Sequence, residues 1–158
     1  MALTPAQYLT LKAAIAAETD PTFVAERING ETGAMAAFYN TDSTFIVWKT
    51  LINLSTIGNA FVGTEFSGLT TANVSRLSAL AEFSAQGINP STADRRQMFA
   101  DIFGVNSATN VALIALWKRA AKRGEQLFAT GTGTNATPGL LVFEGNISND
   151  DILTALRS

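Results

Sequence analysis

The stretch Ala108-Thr-Asn-Val-Ala-Leu-Ile-Ala-Leu-Trp-Lys-Arg-Ala-Ala-Lys-Arg-Gly-Glu-Gln-Leu-Phe128 decides how this chain is read. At the helical step of about 100° per residue, Leu113, Ile114, Trp117, Ala120, Ala121, Gly124 and Phe128 share one arc, and Lys118, Arg119, Lys122 and Arg123 share the opposite one. The spacing predicts one long helix from about Ala108 to Phe128, with an apolar inner face and a basic outer face. Glu125 stands three residues after Lys122, close enough on a helix to pair with it.

Helix signals continue on the N-terminal side. Thr4-Pro5-Ala6-Gln7 is a capping box with proline at the first helical position, and Leu3 and Tyr8 can staple it. Leu11 and Ile15 extend the stripe to about Thr19. Asp20-Pro21 opens a second helix, with Val24 and Ile28 facing inward, and Asn29-Gly30 stops it. A third runs from about Thr32 to Tyr39. Phe45-Ile-Val-Trp48 is β-branched and aromatic, so it reads as extended to about Thr50, followed by a short helix capped by Ser55. Gly63 and Gly68 frame a loop. Thr71 caps a helix whose Val74, Leu77, Leu80 and Ala81 point one way, and Asn89-Pro90-Ser91 opens the helix that carries Met98, Phe99, Ile102 and Phe103.

Past Phe128 the grammar changes. Thr130 to Gly139 is a polar loop with two closely spaced glycines and Pro138. Leu140 to Phe143 reads as a short strand, and Ser148-Asn-Asp-Asp151 as a helix start whose acids suit the helix dipole. The expected fold is mainly α, a bundle of six or seven short helices with a small β element near the C-terminus. The expected organisation is a helical domain over 1–129 and an arm of loop, strand and short helix over 130–158, which is not an independent domain.

Composition bounds the chemistry. The 158 residues include no histidine and no cysteine. That removes the side chain best suited to proton transfer near neutral pH, the thiol nucleophiles, the disulfides and the commonest zinc ligands. No catalytic, cofactor-binding or metal-ligating set is expected. Asp150 and Asp151 are adjacent, so on a helix they diverge and serve as caps rather than as cation ligands. The Gly/Thr loop lacks the lysine and the preceding strand of a phosphate-binding loop. Lys49, beside Trp48, reads as a snorkelling surface residue.

Charged residues make up 15% of the chain, against about 25% in an ordinary soluble domain. Small residues fill the difference, which suits a subunit packed against copies of itself. Six of the eleven basic residues, Arg95, Arg96, Lys118, Arg119, Lys122 and Arg123, lie close together in sequence. They are read either as a solvated face or as a contact for an acidic partner or DNA. The net charge of −2 argues against wholesale nucleic-acid binding. No signal peptide and no membrane-spanning run is apparent, so synthesis in the cytoplasm is expected.

Several segments carry a resemblance: Leu3-Thr-Pro-Ala-Gln7, Val47-Trp-Lys-Thr50, Gly87-Ile-Asn-Pro-Ser91, Arg95-Arg96 with Ile102-Phe103, Lys118 through Gly133, and Val142-Phe-Glu-Gly-Asn-Ile-Ser148. Along nearly its whole length the chain resembles a family of small uncharacterised proteins of tailed bacteriophages and prophages. The most specific part is Gln126-Leu-Phe-Ala-Thr-Gly-Thr-Gly133 followed by Phe143-Glu-Gly145. The chain departs from the family pattern at Gly124, where a polar residue or alanine is expected, and in having no tryptophan around 79–83.

The resemblance implies a phage origin and a place among late structural genes, and brings no catalytic residues. Subunits of this kind commonly form rings between portal and tail. The expectation is therefore a non-enzymatic virion protein, a head–tail connector (adaptor) made in the host bacterial cytoplasm. It forms a homo-oligomeric ring, contacts portal and tail or neck proteins, passes DNA without sequence specificity and touches no membrane. Leu140, Leu141, Val142, Phe143 and Ile147 are the expected inter-subunit contacts, on a flexible spacer. The alternatives are another virion component (a capsid accessory or tail-completion protein) and a non-virion DNA-binding accessory factor that uses the basic residues.

Overall fold

The computed structural model describes residues 3–84 and 86–158, with the backbone only of Phe83. The fold is mainly α. Ten helices and one two-stranded sheet occur among the described residues. The chain divides into two compact units, Met1–Val47 with Ala120–Ser158, and Trp48–Arg119.

In the first unit, α1 (Pro5–Ala17) starts as its sequence dictates. Thr4 caps it by accepting from the Gln7 N–H, and the Gln7 side chain accepts from the Thr4 N–H at 2.8 Å. Asp20 caps α2 (Pro21–Asn29) through two N–H groups, and α3 (Thr32–Tyr39) follows. At the far end α10 (Asn149–Arg157) begins at a Ser148–Asp151 capping box. Leu11 and Ile15 of α1, Phe23 of α2, Met35 and Tyr39 of α3, and Ile152 and Ala155 of α10 share one core with Phe128, Phe143 and Ile147. Of the two residues expected to face inward on α2, Ile28 is exposed. Phe23 fills the core instead.

The second unit holds α4 (Leu54–Gly58), α5 (Gly63–Ser67), α6 (Thr71–Phe83), α7 (Ala93–Phe103) and α8 (Ala108–Leu116). Its core is built on Ile52, Ile57, Leu80, Ile88, Phe99, Ile102, Leu113 and Trp117. Details differ from the sequence reading. Asn53 rather than Ser55 caps α4, accepting from the Thr56 N–H at 2.8 Å, and Thr70 rather than Thr71 caps α6. The stretch between Gly63 and Gly68 is a short helix, not a loop. Its Glu65 reaches across to cap α8, accepting from the N–H groups of Ala108 and Thr109 at 2.8 Å each. Val74 of α6 is exposed rather than inward.

The largest correction concerns the long helix. It ends at Leu116. The chain then runs extended as β2 (Lys118–Lys122), and a single turn, α9 (Arg123–Gln126), follows. β2 pairs with β1 (Asp42–Trp48). The Arg123 N–H donates to Thr41 O and the Lys49 N–H to Trp117 O, so the strands run antiparallel. Lys-Arg-Ala-Ala-Lys has good intrinsic helix propensity. Continuing the helix, however, would leave the edge of the β-branched Phe45–Trp48 segment unpaired, so the tertiary pairing wins.

The β element is therefore mid-chain, not near the C-terminus, and the helix count exceeds the six or seven expected. Leu140 makes only an isolated antiparallel bridge with Thr130. The Gly/Thr loop is tied to the free edge of β1, with the Ile46 N–H donating to Gly133 O and the Gly139 N–H to Ile46 O. Phe45 explains both glycines. A Cβ on Gly133 would stand 2.1 Å from its ring, and one on Gly139 2.5 Å.

Candidate functional site

The structure does not arrange Lys118, Arg119, Lys122 and Arg123 as one helix face. The run Lys118–Lys122 is a strand, in which successive side chains turn to opposite faces. Arg96, on α7, donates through Nη1 to Pro90 O at 2.6 Å and Ser91 O at 2.9 Å, and its guanidinium lies 4.1 Å over the Trp48 ring. Burial lowers its pKa. Arg95 approaches Met98 Sδ at 3.8 Å. Lys118 Nζ stands 5.6 Å over Trp48, and Arg119 follows it in β2. Lys122 Nζ bonds Asn146 Oδ1. Arg123 stacks its guanidinium 4.4 Å over Phe38.

Glu125 is buried, with 1% exposure. Its carboxylate accepts from the Lys122 backbone N–H at 2.9 Å and from the Gly145 N–H at 3.1 Å. It thus ties α9 to the segment after Leu140. Asn40 fastens the same segment further on, its Nδ2 donating to Ile147 O and its Oδ1 accepting from the Ile147 N–H, both at 2.8 Å. Phe143 packs edge-on against Phe128, with ring centroids 5.6 Å apart.

The C-terminal contact set is accordingly divided. Phe143 and Ile147, at 2% and 1% exposure, lie in the core of their own unit. Leu141 is half-buried. Leu140 and Val142, at 45% and 61%, stand exposed, and the chain bends at Val142 and Phe143 rather than continuing as a strand.

A second feature was not visible in the sequence. In the first unit a cavity of about 330 Å³ is lined by Glu18, Phe38, Tyr39, Arg123, Gln126 and Leu127. Tyr39 is 3% exposed, and its hydroxyl has no hydrogen-bond partner among the described residues. Burial pushes the phenol pKa up. Glu18 adds to this, and Arg27 and Arg123 oppose it. Phe23, Phe38 and Tyr39 form an aromatic cluster with centroids 4.6–5.6 Å apart, which fixes the phenol ring. The residues come from the end of α1, from α3 and from α9, segments far apart in sequence. Only the order of the folded unit collects them.

No group of three or more acidic side chains among the described residues is placed to hold a metal ion, and no helix among them is long and apolar enough to cross a membrane. Comparison with known proteins gives no match to a family model, to a curated protein or to a solved structure.

Proposed function

We propose that this chain is a structural, non-enzymatic subunit of a tailed-phage particle, a head–tail connector (adaptor) that closes into a ring between portal and tail. The observation that carries the reading is the pair Leu140 and Val142, exposed on a segment anchored by Phe143, Glu125 and Asn40. Apolar side chains held outward on a rigid base suit a contact with another chain. Low charge supports the same conclusion, and the phage-like segments supply the setting. Partners would be a second copy of the chain and portal, tail or neck proteins, with DNA passing without sequence-specific contacts and no membrane involved. The finished protein would reside in the virion after synthesis in the host cytoplasm.

Another virion role, as a capsid accessory or tail-completion protein, would use the same surface. A DNA-binding accessory role draws less support, because Arg96 is engaged with two backbone carbonyls and Lys122 with Asn146.

Quantitative proteomics of purified virions, with mass measurement of the isolated protein, tests the proposal. A ring subunit appears at low, fixed copy number per particle and assembles into a closed oligomer. A capsid accessory appears at far higher copy number. Absence from virions overturns the reading.

A further inference from the structure

The second unit contains an apolar pocket between α4, α6 and α7, with a volume of about 120 Å³. Its floor is Ile57, Leu80, Ile88 and Phe99, each at 1–3% exposure. Half-buried Phe61 and Leu77 form walls. The two exposed residues of the lining are Gly58 and Ala81, and their small size leaves the mouth open. No polar side chain among the described residues lines it.

Packed interiors leave few voids larger than a water molecule, because neighbouring side chains close over a gap. Here the sides of the pocket are tied elsewhere. Ile88 is fixed by a pair of hydrogen bonds, its N–H donating to Ile52 O at 2.8 Å and its carbonyl accepting from the Ile52 N–H at 2.9 Å. Gly87 permits that approach, since a Cβ there would stand 2.6 Å from Ile52 O. The Phe99 ring is held edge-on by Trp117, with centroids 5.4 Å apart. Phe61 stacks on Phe66 at 5.8 Å and tilts against Phe103 at 5.0 Å. The lining cannot fold inward without breaking these contacts. A recess without hydrogen-bonding groups does not order water, and an empty one leaves its lining short of dispersion partners.

We propose, independently of the connector reading, that this pocket binds a small uncharged molecule through one apolar ring. A cavity of about 150 Å³ lined by Leu, Ile and Phe stays dry and takes benzene, so about 120 Å³ suits a single ring and excludes a fused one. Phe61 and Phe99 favour an aromatic ring over an alkyl group. The ligand class is a monocyclic aromatic compound, and any polar substituent it carries stays in water at the mouth, past Gly58 and Ala81.

The probe is toluene, titrated into the full-length protein up to its solubility limit and read by NMR of the Ile57, Leu80 and Ile88 methyl groups. Saturable shifts of these are expected, while the methyl groups of Leu11, Ile15 and Ile152 in the other unit stay in place. Ala81→Leu and Gly58→Leu should each plug the mouth and weaken binding about tenfold or more. Both positions are exposed, and a Cβ at Gly58 meets nothing within 4 Å, so either variant reads the site if the other fails to fold. Absence of saturable shifts overturns the proposal. So do equal shifts in both units, or binding that survives unchanged in the plugged variants. A folded Ala81→Leu that loses self-association shows that the pocket receives a side chain of a second copy, and this also overturns a free ligand.

Discussion

The Tyr8 hydroxyl donates to Asp151 Oδ1 at 2.9 Å, joining α1 to α10. Asp151 also caps its own helix, its other oxygen accepting from the Ser148 N–H and hydroxyl. Burial pushes the Asp151 carboxyl up, but the hydrogen bonds from Ser148 and Tyr8 outweigh it, so its pKa lies below the usual value. Tyr8→Phe should therefore cost about 1 kcal/mol, read as a lower denaturant midpoint with unchanged slope. An unchanged midpoint would show that the bond contributes nothing.

Glu65 should make stability depend on pH. The Thr109 hydroxyl and the N–H groups of Thr109 and Ala108 hold its carboxyl below the ordinary range. A carboxyl depressed by folding stabilises above its unfolded pKa, about 4.3 for glutamate, and that stability is lost as pH falls through the folded value. Glu65→Gln should melt below the parent near neutral pH, and the two curves should converge in acid. A gap that persists in acid would place the effect in packing rather than in charge.

Gly124 should resist substitution. A Cβ there would lie 2.6 Å from Ile147 Cγ1 and 3.2 Å from Tyr39 O. Gly124→Ala should destabilise by about 1–3 kcal/mol, the usual cost of overfilling a packed site. Ile147→Val, which keeps Cγ1, should relieve little of it, and Ile147→Ala should relieve more. A thermal melt of the single and double variants checks the order.

The C-terminal segment should separate stability from assembly. Phe143→Ala should cost about 3–5 kcal/mol, because it empties a buried site against Phe128. Val142→Ser should leave the melting temperature nearly unchanged and weaken self-association in a sedimentation experiment. Normal assembly by folded Val142→Ser together with Leu140→Ser would remove this surface from the contact.

Arg96 should not tolerate lysine. A lysine lacks the planar fork that satisfies Pro90 O and Ser91 O while stacking on Trp48. Arg96→Lys should lower stability by about 1–2 kcal/mol, seen in chemical denaturation. Equal stability would reassign Arg96 to the solvated surface.

Elements controlled by their own neighbours were legible in the sequence. The starts of α1, α2 and α10 rest on Thr4, Asp20 and Ser148, each bonding N–H groups within three residues. The break after Leu116 was not legible, because the competitor to the helix is β1, about 70 residues upstream, and nothing local to Lys118–Lys122 reveals that edge. The Gly/Thr loop read as a spacer because its anchor, the Phe45 ring, is equally remote. Gly124 stood out as a departure from the family pattern without a cause, and Ile147 now supplies one. The basic residues were found individually, but their partners, Trp48, Pro90, Asn146 and Phe38, were not. The cavity left no trace in spacing.

The division of the chain has a consequence for its birth on the ribosome. Trp48–Arg119 is one uninterrupted run, so every residue of that unit has been synthesised before Ala120 emerges. The other unit needs Phe128, Phe143, Ile147 and Ile152 to complete the core begun by Leu11 and Phe23. Its early helices must therefore wait, with apolar faces uncovered, until Phe128, Phe143, Ile147 and Ile152 leave the exit tunnel. Crowded translation of this chain should expose α1–α3 to premature encounters, and a nascent-chain series released at Arg119 and at Ser158 should show the inserted unit protected from protease first.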